Sequence, residues 1–377
     1  MTLRRLFVPT IALLFACGPN ASSESALGTE GGTSTSGGSS SSGVTSSGGL
    51  GGTGTQAMTG SEGSSSAGES SSTGDDTTGS TGDETTSGSP STGDETTGSP
   101  IDCAALPQGP LPYTIKPGPK ASEDLAFDDL GNLVGAQEGH LFRSAYDGAP
   151  ELWVPGAGGF IAGLRITAKG VVVYADNSTS TMFRVDPGNN FKEMVISGLE
   201  YANGLEVDLA GYVYIAEQSG ARVRRVDPAT GEFTILAEGL NNPNGLSFSP
   251  DYKTLYVGSF GGGTITALHL KVDMTVEGVT PFMSGIGGGA LDGMAVDACG
   301  NVYVCEFGPA TIWRMTPDGL SLVPLIELGP ETSWIPNMQW GSGIGGWDSE
   351  TLYVLDFSAN RVFAVPTGVG DKPRAYP

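Results

Sequence analysis

The chain has 377 residues, with 41 acidic against 18 basic side chains, a net charge of −23, and 60 glycines. So acidic a surface repels nucleic acid and anionic lipid headgroups, which excludes both as partners.

The first element is a leader. Arg4 and Arg5 precede an apolar run from Leu6 to Ala16, shorter than the roughly 20 residues that span a bilayer. It reads as a secretory signal. The run ends Leu14-Phe15-Ala16-Cys17-Gly18, close to the bacterial lipobox, in which the cysteine is lipidated and becomes the first residue. Residues 1–17 are therefore expected to be a lipoprotein leader with Cys17 as the lipid site. Such a protein is exported to the outer membrane or cell surface and touches the membrane only through its anchor.

Residues 18–102 are a second segment, rich in Ser, Gly and Thr, with 11 acids and no Lys or Arg. Without large apolar side chains it cannot bury enough surface to offset the entropy of folding, so it is expected to be a disordered tether. Its repeated TGDDTTGS, TGDETTSGSP and STGDETTGSP stretches read as solvated spacer.

Residues 103–377 are the expected folded part, carrying 30 acids and 16 bases. One pattern recurs through it: EDLAFDDLGNLVG from Glu123, AGLRITAKGVVVYAD from Ala162, NGLEVDLAGYVYIAE from Asn203, NGLSFSPDYKTLYVG from Asn244, DGMAVDACGNVYVCE from Asp292, and a looser copy from Asn337. The starts lie 39, 41, 41, 48 and 45 residues apart. Each window holds short β-prone runs separated by turn residues, and no stretch has helical period. A period of this length with several strands per repeat predicts an all-β, six-bladed β-propeller, monomeric and preceded by the leader and the tether. Residues 111–116 precede the first repeat. They are expected to supply the outer strand of the last blade beside Arg361–Pro366, leaving no open edge at the seam.

With Cys17 taken by lipid, Cys103, Cys299 and Cys305 remain. Six extended residues span about 20 Å, too far for a disulfide between Cys299 and Cys305. Cys103 could pair with either.

The residues opening the six windows are Glu123, Ala162, Asn203, Asn244, Asp292 and Asn337. In a propeller the first strand of each blade lines the central channel, so these positions form a ring. Five carry a side-chain oxygen, and two are carboxylates that would repel each other unless protonated or bridged by a cation. Oxygen donors without His or Cys favour a hard ion. The Asn-Gly and Asp-Gly pairs also fit turn chemistry. A second acidic series, Asp176, Glu217, Glu306 and Asp356, ends the second strands and is expected to hold the loops that follow. His140 and His269 share no repeat position, and there is no G-x-S-x-G, phosphate loop or His-Glu-x-x-His.

These residues carry a resemblance. Ser122-Glu123-Asp124, Asn203-Gly204-Leu205, Pro243-Asn244-Gly245-Leu246 with Ser249-Pro250-Asp251, and Leu291-Asp292-Gly293-Met294 are similar to the senescence marker protein and gluconolactonase (regucalcin-like) family of six-bladed propellers. The resemblance implies one divalent cation held by Glu123, Asn244 and Asp292. Ca²⁺ is the expected ion, with Mg²⁺, Mn²⁺ or Zn²⁺ as the other candidates. It implies Asn203 as a substrate contact, to which Tyr201 and Asn337 are added by position, and Asp292 as the residue that activates water. Sugar lactonases of the family often carry an Arg where this chain has Tyr201. Phe160, Tyr201, Phe260, Trp334 and Trp340 are candidates to line a more aromatic mouth. The expected function is metal-dependent hydrolysis of a small-molecule lactone or ester on a tethered lipoprotein. The alternative is a non-catalytic propeller that captures a carbohydrate, peptide or protein.

Overall fold

The computed structural model describes residues 101–120 and 122–374. The leader, Cys17 and nearly all of the tether lie outside the described residues.

Alternating apolar residues with β-branched enrichment make 24 strands in the described residues, arranged as six four-stranded antiparallel sheets. Five blades are meanders in strict chain order, and their innermost strands are Leu125–Phe127, Ile161–Ile166, Ala202–Val207, Pro243–Phe248 and Leu291–Val296. The sixth is built from Met338–Trp340, Thr351–Leu355 and Arg361–Pro366 and is completed by Thr114–Pro117 from the other end of the domain. Thr114 pairs with Ala364 and Pro117 with Arg361, so the expected seam closure is present. A second tie across the seam is the disulfide between Cys103 and Cys299, which settles the pairing left open by the sequence. Cys305 is buried as a free thiol in the core between blades five and six.

The blades pack through their faces. The second strands are buried along nearly their whole length, as in Val213–Glu217 and Val302–Glu306. Aromatic rings bridge neighbouring sheets edge to face: Tyr214 to Phe248 at 4.9 Å, Tyr303 to Trp340 at 5.1 Å and Tyr353 to Phe127 at 5.3 Å. Such pairs add about 0.5–1.5 kcal/mol each beyond their burial. Trp340 is therefore a wedge between blades, with its indole N–H donated to Thr367. It does not line the mouth, as the sequence reading allowed. Turns between first and second strands follow one design: Asp297 Oδ1 accepts from the backbone N–H of Cys299 and Asn301, with Gly300 left-handed at φ 84°.

Candidate functional site

The site begins with a shared irregularity. In blades two to five the pairing register slips inside the first strand, between Ile161 and Leu164, Ala202 and Leu205, Pro243 and Leu246, and Leu291 and Met294. The slipped residues are Ala162-Gly163, Asn203-Gly204, Asn244-Gly245 and Asp292-Gly293. A bulge bends the strand and re-aims the side chain it carries. The Asn-Gly and Asp-Gly pairs are thus bulges within inner strands, and the turn reading of them is corrected.

The glycines are there for room. A Cβ on Gly163 would lie 2.2 Å from the carbonyl oxygen of Asn203, one on Gly204 2.1 Å from that of Asn244, and one on Gly245 2.1 Å from that of Asp292. Each blade's bulge rests against the next, so the inner strands close tightly and converge their side chains.

Asn337 does not belong to that ring. Met338 pairs with Val354 and Gln339 with Tyr353, matching Met294 with Val304 and Ala295 with Tyr303 in blade five. Blade six therefore places Pro336 at the axial position and Asn337 one residue deeper, level with the glycines. The Gly293 N–H donates to the Pro336 carbonyl. Asn337 is 6 % exposed, accepts the N–H of Met338 through its own Oδ1 and fills the space left by Gly293. As a substrate contact it is withdrawn.

Glu123 is held from below and behind. Ser122 donates its hydroxyl to the Asp124 carbonyl and accepts the N–H of Ala136 from the second strand of its blade. Asp124, at the glycine level, forms a buried ion pair with Arg165 and also accepts the N–H of Leu164 and Leu125. Burial raises the Asp124 carboxyl, with Arg165 opposing.

Asn244 and Asp292 are 1 % and 5 % exposed. Burial, then the charge of Glu123, push the Asp292 carboxyl well above the ordinary range, with the Asn244 amide opposing. Burial, then Asp124, push Glu123 up to about 7. Among the described residues no cationic side chain stabilises either, whereas Asp124 has Arg165. The Asn244 amide is buried and turned to the Asp292 carboxyl, and neither of its polar atoms makes a well-formed hydrogen bond. Tyr201, half-exposed and left-handed at φ 53°, has its phenol raised by burial and then by the charges of Glu123 and Asp292, so it overlooks the same space. Asn203 stands on the intervening bulge, half-buried. The residues present suit a hard cation: two unpaired carboxylates and an amide oxygen with no well-formed hydrogen bond. Among the described residues there is no cluster of three or more His, Cys, Asp or Glu able to hold a metal, so the candidate depends on Asn244 as a ligand.

The acids ending the second strands hold loops, as expected. Asp176 accepts the N–H of Gly159, Phe160 and Ser178. Glu217 is clamped by Arg222 and Arg224, and Asp356 by Thr332, Ser358 and Arg361. His269 faces Thr280 across two outer strands, away from the inner strands.

The opposite end of the channel has a feature that periodicity did not reveal. At the level of Arg165, Glu206, Ser247, Ala295 and Gln339 the C-terminal segment enters and caps a small cavity. Lys372 donates to Glu206 and Ser247, and Arg374 to Asp371 and Gln339. The Pro373 carbonyl accepts the Tyr252 hydroxyl. The signal, a Lys and an Arg after the last repeat, lies outside any repeat register.

Residues 214–358 match the family model described as the SMP-30/Gluconolactonase/LRE-like region. The match runs from the third blade into the sixth and makes this stretch of the propeller similar to that family. A gluconolactonase from Xanthomonas campestris is similar in structure, at TM-score 0.58 and 19 % identity over 67 % of this chain and 89 % of that one. So is a calcium-binding regucalcin from Agrobacterium tumefaciens, at TM-score 0.55 and 19 % identity over 71 % and 97 %. A chain of a nidogen/laminin complex reaches TM-score 0.53 at 17 % identity over 63 % and 89 %. These likenesses establish the fold. No curated protein matches the sequence.

Proposed function

We propose that this SMP-30/gluconolactonase-like propeller is a divalent-cation-dependent hydrolase of small lactones or esters, displayed on a lipoprotein tether through Cys17. The observation that carries the reading is Asn244: a buried amide turned to the Asp292 carboxyl with no well-formed hydrogen bond at either polar atom, beside the carboxylates of buried Asp292 and half-buried Glu123. A buried amide left without a well-formed hydrogen bond costs about 1–3 kcal/mol. A fold retaining one next to unpaired acids has a ligand to account for both.

Glu123, Asn244 and Asp292 would hold the cation, with Ca²⁺ the first candidate. A bound divalent ion would supply Lewis acidity toward a carbonyl oxygen. The chain itself supplies charge balance: Glu123, Asp124 and Asp292 against Arg165 leave two negative charges, which one divalent cation neutralises. Asp292 is the ring's candidate to take a proton from water, since its carboxylate would stand beside both the cation and a water bound to it. Tyr201 and Asn203, on the rim beside it, are placed to orient the substrate.

The test is metal analysis of the purified protein, thermal melts with Ca²⁺ and with chelator, and a lactone panel under both conditions. Ca²⁺ should raise Tm and support chelator-sensitive hydrolysis. Asp292→Asn should weaken both, with turnover down roughly 10²-fold or more. A protein that neither responds to cations nor hydrolyses any lactone overturns the reading. For the anchor, Cys17→Ser should move the protein out of the membrane fraction.

A further inference from the structure

Above the axial ring the rim is divided by chemistry. The backbone N–H groups of Phe260, Phe307 and Phe357, just past the second strands of blades four to six, donate to the carbonyls of Asn242, Ala290 and Trp334. Those acceptors lie two residues before Asn244, Asp292 and Pro336, about 7 Å along an extended chain. The three phenyl rings and the Trp334 indole thus stand one step above the candidate cation site. They pack on one another: Phe307 and Trp334 are parallel to within 10° at 6.1 Å, and Phe260–Phe307, Phe307–Phe357 and Trp334–Phe357 lie at 6.3, 6.3 and 6.4 Å. None of the four belongs to the apolar cores between blades. Trp334 is 40 % exposed and the phenyl rings are half-buried.

The equivalent positions of blades two and three are different. There the residues past the second strands are Asn177 and Gln218, whose N–H groups donate to the carbonyls of Phe160 and Tyr201. Both polar atoms of the Asn177 side chain are buried without a partner. The two rim arginines are engaged, Arg222 with Glu200 and Glu217 and Arg361 with Asp356 and Glu331, while Lys120 is exposed at the blade-one end, away from the aromatic rings of blades four to six. An anionic substrate would meet paired guanidinium groups and several carboxylates.

We infer that the substrate is an uncharged lactone carrying an apolar alkyl or aryl substituent, its ring over Asp292 and its substituent along Phe260, Phe307, Phe357 and Trp334. The inference rests on the proposed hydrolase reading and adds the substrate class. Apolar surface laid on those rings leaves water, worth about a fourfold gain in affinity per fully buried methylene. A polyhydroxylated sugar lactone gains nothing there and would desolvate hydroxyls against phenyl edges.

The experiment uses the Ca²⁺-loaded full chain and a homologous series from γ-butyrolactone to γ-dodecalactone, with dihydrocoumarin and glucono-δ-lactone alongside. The expected result is kcat/KM rising about two- to fourfold per methylene along the middle of the series. Trp334→Ala should flatten that slope, with folding verified by thermal melt. Calorimetry with 2-octylcyclopentanone, a ring ketone that cannot be hydrolysed, supplies a readout independent of turnover. It should bind the parent at least tenfold more tightly than cyclopentanone, and the variant should lose most of that margin. Glucono-δ-lactone turned over as well as the alkyl lactones, or equal binding of the two ketones, overturns the inference while leaving cation-dependent hydrolysis intact. Hydrolysis of no lactone, with the cation bound, overturns the hydrolase reading itself.

Discussion

A Cβ placed on Gly245 would lie 2.1 Å from the carbonyl oxygen of Asp292. That contact fixes how closely the blade-four and blade-five bulges approach, and with it the separation of Asn244 from Asp292. Gly245→Ala must push the two strands apart, since the obstructing atom is backbone. Overpacking of this kind costs about 1–3 kcal/mol. The expected outcome is a lower Tm together with a disproportionate loss of Ca²⁺ stabilisation, read by melts at several Ca²⁺ concentrations. Unchanged cation affinity would show that the site tolerates wider spacing than the packing implies.

Asn244 separates ligand from scaffold. Asn244→Leu removes a buried amide with no well-formed hydrogen bond and keeps a similar volume. Without cation the variant should be as stable as the parent or slightly more so, by about 1 kcal/mol. With Ca²⁺ it should show no Tm increase. A variant destabilised without cation would mean that the amide is well bonded within the protein.

Arg165 and Asp124 are both buried, one step below the candidate site. Arg165→Met leaves Asp124 buried without its partner and should cost about 3–5 kcal/mol. Adding Asp124→Leu should recover much of that loss, because the pair is removed together with its desolvation. Denaturant midpoints of the two single variants and the double variant measure the coupling, and additivity of the two changes would refute it.

Glu217 provides a pH test. It is fully buried and clamped by Arg222 and Arg224. Burial tends to raise its carboxyl, but hydrogen bonds from Arg222, Glu200 and Arg224 prevail and hold it below the usual range. A depressed folded pKa gives stability that is complete above the unfolded value, near 4.3, and lost as the pH falls through the folded value. Glu217→Gln should therefore be less stable than the parent at pH 7, by about 1.5–3 kcal/mol. The gap should close as the pH drops below 4. Chemical denaturation across that range measures it.

Much of this protein was legible from periodicity alone. Six windows with β alternation specify six sheets, because each short meander can bury its faces only against a neighbour. The seam strand at Thr114–Pro117 was legible too, since a propeller closed without it leaves an open edge. Glu123, Asn244 and Asp292 share a repeat position, which is enough to put them on one ring. What periodicity could not decide is register within a strand. A shift of one residue places Pro336 on the axis and Asn337 at the glycine level, and the loose last window carries no glycine to mark the difference. Nor could it separate a turn from a bulge, since Asn-Gly and Asp-Gly suit both. Only the close approach of the next blade shows why the glycine is required. The Cys103–Cys299 pairing, the burial of Trp340 and the entry of Lys372 into the channel join residues distant in sequence. They depend on where closure of the ring brings the chain ends, a property of the assembled blades that no single repeat contains.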